Sequence, residues 1–304
     1  MSHEISVNPA CYRWGTTLAE FVAVSRAAGF TSVEVSIQQA AALADALGGL
    51  NALRQWRRQA GVEVVQFSGI LPAGPVLPAP LLVDDADFAT ALSTLDRHLA
   101  VADALDCRRA AIVVNPRTSL PLPEATDCAL NRLDQLADHA DRHGIRLAVE
   151  FIGVRRDLNA TLDGPHPFIG SAAGLLGLLD ELDRATVGVL LDTSHLYASG
   201  DSLTDLPDLR GRIGFVQVAD VPRGLPPGEL TDAVRCLPGT GGTDFECLLP
   251  DLDAAGYDGP LSIELFSPEL WQLAPADAAA QLFDSTAHLR PHRPATVAAG
   301  RRQS

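Results

Sequence analysis

Short apolar runs alternate along the chain with longer stretches in which apolar residues recur at helical spacing. Runs of Val, Ile and Leu bounded by turn residues are typical of strands buried in a parallel sheet. This pattern predicts eight strands, over Ile5–Asn8, Ser32–Ile37, Val62–Phe67, Ala110–Val114, Leu147–Ile152, Val187–Leu191, Ile213–Val218 and Leu261–Phe266.

The stretches between these runs have an apolar spacing near 3.6 residues, which predicts amphipathic helices. The predicted helices cover Leu18–Ala28, Leu50–Ala60, Asp87–Leu105, Glu124–His143, Ala172–Leu182, Leu203–Leu209, Phe245–Ala255 and Pro275–Leu289. Gly29 follows the first of them, at the position where a helix commonly ends in the left-handed conformation.

Eightfold alternation of strand and helix favours a (β/α)8 TIM barrel, which needs about 250 residues. A doubly wound sheet shows the same alternation and stays open as an alternative. However, the first strand–helix loop, 12–15, has no G-x-G-x-x-G motif of the kind that binds dinucleotides. We expect a single barrel domain over residues 1–290 and a disordered tail over 291–304, which is rich in arginine and small residues.

The net charge of the chain limits the classes of molecule that it is expected to bind. The formal net charge is −15 at pH 7. Nucleic acids and anionic membrane surfaces attract basic footprints, so neither is expected as a partner. All 23 residues counted as Lys+Arg are arginine. The absence of lysine excludes Schiff-base aldolases, pyridoxal-phosphate enzymes and Walker A loops.

Cysteine usage and the amino-terminal residues bear on the compartment. The five cysteines are scattered and form no C-x-x-C pair. The chain shows no signal-peptide pattern and no run of about 18 apolar residues. We therefore expect a protein of the reducing cytoplasm.

Polar residues end or interrupt four successive strand runs in the second half of the chain. They are Glu150, Asp192, Gln217 and Glu264. In a barrel the active site lies at the carboxyl ends of the strands, so these side chains are expected to meet there. Converging carboxylates repel one another unless a cation lies between them, and oxygen ligands favour Mg²⁺ or Mn²⁺.

These residues and the segments around them carry a resemblance. The segments are Leu-Asp-Thr-Ser-His, ending at His195, Phe-Val-Gln-Val-Ala-Asp, and Gly-Pro-Leu-Ser-Ile-Glu-Leu-Phe. The chain resembles the xylose isomerase-like TIM barrels of the sugar phosphate isomerase/epimerase superfamily from Ile5 to Leu289. The resemblance implies one divalent ion per chain on four strand-end ligands, usually Glu, Asp, His and Glu. Mn²⁺ or Mg²⁺ is expected, with Co²⁺ or Zn²⁺ as alternatives.

Gln217 departs from the usual histidine at the third ligand position. Glutamine there resembles the hydroxypyruvate isomerase and 3-dehydroshikimate dehydratase branches. The Arg-x-x-Pro-Gly-x-Gly segment is similar to that of the dehydratases, which implies that Arg235 binds substrate. By contrast, residues 267–271 read Ser-Pro-Glu-Leu-Trp, where the dehydratases typically have an Asn-Asp pair and a following arginine.

The resemblance also implies roles in catalysis. Glu150 and Glu264 would act as acid and base in an isomerase, whereas His195 would carry the proton in a dehydratase. Other residues expected to contact substrate lie on loops at the same end of the barrel; they are Arg155, His166, Tyr12 and Trp14.

The leading hypothesis is a metal-dependent isomerase or epimerase. It would act by proton abstraction and a metal-stabilised enolate on a small polyhydroxylated keto compound, such as a sugar, sugar phosphate, cyclitol or keto acid. A dehydratase that eliminates water from a cyclic keto acid is the alternative, and a non-catalytic barrel that binds a partner is the second alternative. The superfamily also includes apurinic endonucleases, which the net charge disfavours. A homodimer is expected as one arrangement, because barrels of this family often pair.

Overall fold

The computed structural model describes residues 3–71, 80–154 and 164–290. Within these ranges, eight parallel strands form the barrel in the order β1-β10-β9-β8-β6-β4-β3-β2. The strands are β1 (Ile5–Val7), β2 (Ser32–Ser36), β3 (Glu63–Ser68), β4 (Arg109–Val113), β6 (Arg146–Glu150), β8 (Val187–Asp192), β9 (Ile213–Val218) and β10 (Leu261–Ile263). Each coincides with a run predicted from the sequence, and the predicted (β/α)8 fold is confirmed.

Helices cover the outside of the barrel. They are α1 (Leu18–Ala28), α2 (Ile37–Leu47), α3 (Leu50–Ala60), α4 (Asp85–Leu105), α5 (Leu122–Arg142), α6 (Ala172–Leu182), α7 (Thr193–Ser199), α8 (Phe245–Ala254), α9 (Pro268–Gln272) and α10 (Pro275–Ser285). Of these, α2, α7 and α9 were missed by the sequence prediction. The predicted helix over 203–209 consists instead of two short 3-10 turns, Leu203–Asp205 and Pro207–Leu209.

The missed helices have local causes. Helix α2 follows β2 without a loop, and the Ser36 hydroxyl accepts from the backbone N–H of Gln39 at its first turn. Asp192 caps α7 directly after β8. A side-chain cap satisfies N–H groups that the first helical turn leaves without partners, so each helix can begin at the last residue of a strand.

The interior of the barrel is packed with apolar side chains below the carboxyl ends of the strands. One buried cluster consists of Val65, Ala111, Ala148, Leu190 and Phe215. Below it, the Arg109 guanidinium lies over the Phe215 ring, 5.2 Å from the centroid. This apolar layer separates Arg109 from the polar side chains at the carboxyl ends of the strands.

The first and last helices are joined at Gly29. This residue has φ +119°, and a Cβ atom there would lie 2.6 Å from the Phe283 ring of α10. Only glycine combines the left-handed conformation with such close approach. This contact fixes α1 beside α10. Close by, β1 and β2 close the barrel, and the Ser32 hydroxyl of β2 donates to the carbonyl oxygen of Ile5 on β1 over 3.5 Å.

Several sequence expectations concern residues beyond the described ranges. The tail predicted over 291–304 and the predicted substrate contact Arg155 lie outside them. The described residues contain no helix with both the length and the apolarity needed to cross a bilayer.

Candidate active site

The four strand-end residues predicted as ligands meet at one end of the barrel. Glu150 and Asp192 are the last residues of β6 and β8, Gln217 lies in β9, and Glu264 follows β10. Glu150, Asp192 and Gln217 are buried, and the Glu264 side chain is 13% exposed. Ligand atoms of Glu150, Asp192 and His195 all lie within 4.8 Å of one another.

Asp192 organises the residues that follow it. Its Oδ1 accepts from the backbone N–H groups of Ser194 at 2.6 Å and His195 at 3.3 Å. These bonds begin helix α7 immediately after the strand and direct the first turn, with His195, toward the site. The two-residue gap between the aspartate and the histidine is thus the spacing of an N-cap and its third helical residue.

Arg235 lies among the carboxylates. Its Nη1 is 2.8 Å from Asp192 Oδ2 and 3.3 Å from Glu264 Oε2, and its Nη2 is 2.5 Å from Asp232 Oδ1. Its side chain is buried, and its guanidinium lies 5.4 Å from the Phe266 ring centroid. Burial by itself lowers the pKa of Arg235, but four acidic neighbours, Asp192, Asp232, Glu264 and Glu150, outweigh it and raise the pKa, so the group is a fixed positive charge.

Asp220 holds the loop that carries Arg235. Its carboxylate accepts from the backbone N–H groups of Val221, Gly241 and Thr243 at 2.7–2.9 Å. Its backbone exchanges two hydrogen bonds with Cys236, the residue after Arg235. Asp220 therefore positions this loop from behind the site and does not face the cavity.

One guanidinium does not neutralise all the acids around it. Burial, reinforced by the charges of Glu264 and Asp192, raises the pKa of Glu150 well above its usual range. Burial raises the pKa of Glu264 as well, although Arg235 opposes the shift. Burial also disfavours ionisation of Asp192, but Arg235 and His195 outweigh it and lower the pKa of that carboxyl.

His195 is a neutral imidazole with one nitrogen engaged. Its Nε2 lies 3.2 Å from Arg235 Nη2 and 3.6 Å from Glu150 Oε1. A guanidinium can only donate, so Nε2 is the acceptor and the ring proton is on Nδ1. Burial lowers the pKa of His195. The ring is thus neutral, and its Nε2 lone pair is held by Arg235.

Gln217 belongs to a hydrogen-bond network that the sequence analysis missed. Its Nε2 donates to both oxygens of Glu34, at 3.1 and 3.2 Å, and to Glu264 Oε1 at 3.2 Å. Gln66 Nε2 donates to Glu34 Oε2 at 2.8 Å. Gln66 interrupts an apolar run as Gln217 does, whereas Glu34 lies in a run that alternates polar and apolar residues, Ser-Val-Glu-Val-Ser, and so does not stand out.

The remaining predicted site residues differ in position. Tyr12 and Trp14 line a cavity of about 290 Å³ together with Glu150, Gln217 and Glu264. Tyr12 is buried, with its hydroxyl 2.9 Å from Ser25 Oγ, whereas Trp14 is 54% exposed and packs edge-on against Trp271.

One predicted substrate contact, His166, does not line this cavity. His166 is exposed on β7 (His166–Pro167), which pairs with β5 (Arg117–Thr118) in a separate two-stranded sheet. Arg155 lies outside the described residues. Arg13, which the sequence analysis did not select, lines the cavity and is exposed to solvent.

The residues at the site fit a divalent cation. Carboxylate groups of Glu150, Asp192 and Glu264 meet there. Among the described residues around them, Arg235 is the one positive charge that forms ion pairs with these carboxylates. The buried amide oxygen of Gln217, Oε1, has no hydrogen-bond partner. Buried polar atoms are rarely left unpaired, and an amide oxygen among carboxylates is a ligand of the kind that hard divalent ions prefer.

A family model described as the xylose isomerase-like TIM barrel matches residues 22–291. The chain belongs to this family. Among solved structures, a xylose isomerase domain protein from Alicyclobacillus acidocaldarius superposes on this xylose isomerase-like barrel with a TM-score of 0.80 and 22% identity, over 94% of this chain and 97% of that one. The IolI protein with a bound zinc atom gives a TM-score of 0.77 at 19% identity, over 94% and 97% of the two chains. Both likenesses concern the fold.

Curated relatives are similar over part of their length. An inosose isomerase from Halalkalibacterium halodurans is 30% identical over 52% of this chain and 52% of its own. A 3-dehydroshikimate dehydratase from Pseudomonas aeruginosa is 33% identical over 44% of this chain and 20% of its own. The matches to the first relatives thus span about half of their length.

Removing the Arg235 guanidinium should strongly destabilise this xylose isomerase-like barrel. Arg235→Ala leaves Asp192, Asp232 and Glu264 without their cation, and breaking a buried ion pair costs about 3–5 kcal/mol. We expect a loss of this size in the free energy of unfolding, measured by urea denaturation. As a control, Arg58→Ala on the exposed face of α3 should change it by less than about 0.5 kcal/mol. Equal effects of the two variants would contradict the assigned ion pairs.

Proposed function

We propose that this protein is a divalent-metal-dependent isomerase or epimerase that acts on a small polyhydroxylated ketone. The observation that carries the proposal is the meeting of Glu150, Asp192 and His195 within 4.8 Å, buried at the carboxyl end of the barrel. Relatives named inosose isomerase, ketose 3-epimerase and 2-oxo-tetronate isomerase support the reaction class. The zinc-bound IolI structure, which shares the fold, supports the binding of a divalent ion.

The proposed ligands are Glu150, Asp192, Gln217 and Glu264. A bound ion would supply Lewis-acid polarisation of a substrate carbonyl, which acidifies the neighbouring C–H group. The chain's own residues would then move the proton. Glu150 and Glu264 flank the site from opposite sides of Asp192 along the sheet, since β6 and β10 are separated by β8 and β9.

Two carboxylates on separate strands suit removal and return of a proton. One ionised carboxylate removes the proton from the carbon beside the carbonyl. Return of a proton to the neighbouring carbon gives an isomer, and return to the opposite face of the same carbon, from the other carboxyl, gives an epimer. In the metal-free site, burial and neighbouring acids raise the pKa of Glu150 and burial raises that of Glu264, so both carboxyls hold a proton more readily than an exposed glutamate does. Arg235 keeps Asp192 ionised as a ligand.

The cavity favours a small substrate with many hydroxyl groups. Its volume of about 290 Å³ is at the lower end of the range for ligand pockets, ~300–1,000 Å³. Several polar side chains line it above the carboxylates, namely Asn8, Ser36, Gln38, Gln39 and Ser68. Trp14 supplies an apolar wall on which a sugar or cyclitol ring can lie.

A 3-dehydroshikimate dehydratase-like lyase is the second candidate. It is favoured by the neutral His195 beside Glu150, since an imidazole can take a proton and return it to a departing hydroxyl. A carboxylated substrate would also need a cation. Arg235 is already engaged by Asp192, Asp232 and Glu264, which leaves Arg13 at the cavity as the arginine for that role among the described lining residues.

A substrate panel separates the two candidates. The protein would be loaded with Mn²⁺ or Mg²⁺ and incubated with inososes, ketohexoses, hydroxypyruvate and 3-dehydroshikimate, and products would be followed by NMR and ultraviolet absorbance. The proposal expects an isomeric product from a ketone without a new chromophore. A rising enone or catechol absorbance would replace it with the dehydratase, and no turnover of any member would favour a non-catalytic barrel.

Trp14 is expected to contribute to substrate binding and little to stability. Trp14→Ala should raise KM by up to about tenfold with kcat nearly unchanged, because an aromatic contact contributes about 0.5–1.5 kcal/mol and acts on substrate and transition state alike. Leu122→Ala is a matched control, since that side chain is 48% exposed and does not line the cavity. An unchanged KM in Trp14→Ala would remove the indole from the substrate site.

A further inference from the structure

Glu34 is a buried carboxylate that the proposed chemistry does not use. It lies in the middle of β2 and is 1% exposed. The amides of Gln66 on β3 and Gln217 on β9 both donate to it, over 2.8 Å and 3.1–3.2 Å. Burying a carboxylate costs several kcal/mol, so its retention on a strand that lines the barrel calls for a reason beyond packing.

Gln217 is a ligand only if its amide points the right way. A primary amide has an acceptor oxygen at one end and a donor nitrogen at the other, and a metal ion binds the oxygen. The two ends have almost the same shape, so sterics alone do not choose between them. A hydrogen-bond partner at one end therefore has to fix the orientation of the amide.

Glu34 fixes the orientation of the Gln217 amide. An ionised carboxylate only accepts hydrogen bonds, so it holds the Nε2 end of Gln217 and repels the oxygen end. Glu264 Oε1, which also accepts from Nε2 at 3.2 Å, acts in the same sense. In this orientation Gln217 Oε1 is buried without a hydrogen-bond partner, as is Gln66 Oε1 at the other end of the network.

Gln66 holds Glu34 in turn. Its Nε2 donates to Glu34 Oε2, and its own side chain is fully buried between neighbouring strands. The chain Gln66, Glu34, Gln217 therefore runs from β3 through β2 and across the barrel to β9, and each bond fixes the orientation of the next side chain.

We propose that Glu34 is a positioning residue that turns the Gln217 amide so that Oε1 is presented as a metal ligand. The inference rests on the proposed function, because it takes a divalent ion at this site as given. Partners that orient a ligand typically contribute 10–100-fold to metal affinity, and this chain uses a carboxylate to orient an amide.

Binding of Mn²⁺ tests the proposal without reference to turnover. Free Mn²⁺ would be counted by electron paramagnetic resonance during titration of the unsubstituted protein, Glu34→Leu and Glu34→Gln. We expect Glu34→Leu to weaken Mn²⁺ binding by about 10–100-fold. Glu34→Gln keeps one acceptor oxygen and should weaken it less. Gln66→Leu removes one bond to Glu34 but leaves both bonds between Gln217 and Glu34, so it should weaken binding less than Glu34→Leu does. Arg58→Ala, on the exposed face of α3, is the control and should leave the affinity unchanged.

The decisive comparison uses the Gln217→His background. An imidazole nitrogen binds a metal without an amide to turn, so Glu34→Leu or Glu34→Gln should cost little affinity there. An equal loss in both backgrounds, or no loss in either, would overturn the positioning role while leaving the metal site intact. If Glu34→Leu fails to fold by circular dichroism, Glu34→Gln in the two backgrounds decides. Absence of Mn²⁺ binding to the unsubstituted protein would overturn the proposed metal site and this inference together.

Discussion

Replacing Glu150 or Glu264 with glutamine should lower kcat by about 10²–10⁴-fold, the usual contribution of a positioned acid or base. Glutamine has the shape of glutamate but neither accepts a proton nor attracts a cation as a carboxylate does. The fold should persist, because Glu150 contributes a charge that burial and its acidic neighbours already disfavour. Circular dichroism and steady-state kinetics of the two variants would be compared.

Glu124→Gln is the control for these variants. Glu124 is exposed in the first turn of α5, so its substitution should leave turnover unchanged. Full activity in both Glu150→Gln and Glu264→Gln would remove the two carboxylates from the chemistry. Loss of activity accompanied by loss of the circular dichroism signal would instead assign them a structural role.

Mn²⁺ affinity should fall steeply as the pH is lowered. In the metal-free protein, the raised pKa values of Glu150 and Glu264 keep these carboxyls protonated over a wider range than usual. The ion binds the ionised forms, so each proton displaced makes the dissociation constant rise about tenfold per pH unit below the raised pKa. Above that pKa the affinity should become independent of pH.

Titration calorimetry in two buffers of different ionisation enthalpy measures the protons released on binding. The account expects protons to be released on binding at a pH above the usual glutamate pKa of 4.5, and fewer of them in Glu150→Gln. Mn²⁺ binding without proton release, and with the same affinity at about pH 5 and pH 8, would contradict the raised pKa values.

The same carboxyls set the sign of the stability change in the metal-free protein. Glu150 and Glu264 hold their protons more tightly when folded than when unfolded, so their contribution to stability is fully present below the usual glutamate pKa of 4.5 and is lost as the pH rises through the raised values. The metal-free protein should therefore melt at lower temperature as pH increases over this window. Bound Mn²⁺ should reverse part of the loss.

The barrel and half of its site follow from simple patterns in the sequence. Buried parallel strands give continuous apolar runs, so a charged residue at the end of a run, such as Glu150 or Asp192, stands out. Glu34 and Gln66 lie within their strands and not at the ends. The sequence alone does not show which side chains of such a strand point into the barrel. Their partner Gln217 lies far away in sequence, and only the closed sheet brings the three side chains together.

Arg235 illustrates a second limit. The segment around it resembles one that supplies a substrate-binding arginine, and that role remains a prediction. The structure adds that its guanidinium already contacts Asp192, Asp232 and Glu264. Arg235 reaches these acids because loop 219–242 folds back over the ends of β8 and β10. Hydrogen bonds to Asp220 hold the loop in this position, and the linear sequence does not show them.

The central claim is that an ion held by Glu150, Asp192, Gln217 and Glu264 supports removal of a proton beside a substrate carbonyl. The most direct measurement is metal content together with solvent deuterium exchange, with Mn²⁺-loaded and chelator-treated protein incubated in D₂O with inososes and ketohexoses. The account predicts about one ion per chain and deuterium at the carbon next to the carbonyl only in the loaded protein. A protein that binds no ion, or one that exchanges deuterium equally well after chelation, would contradict it.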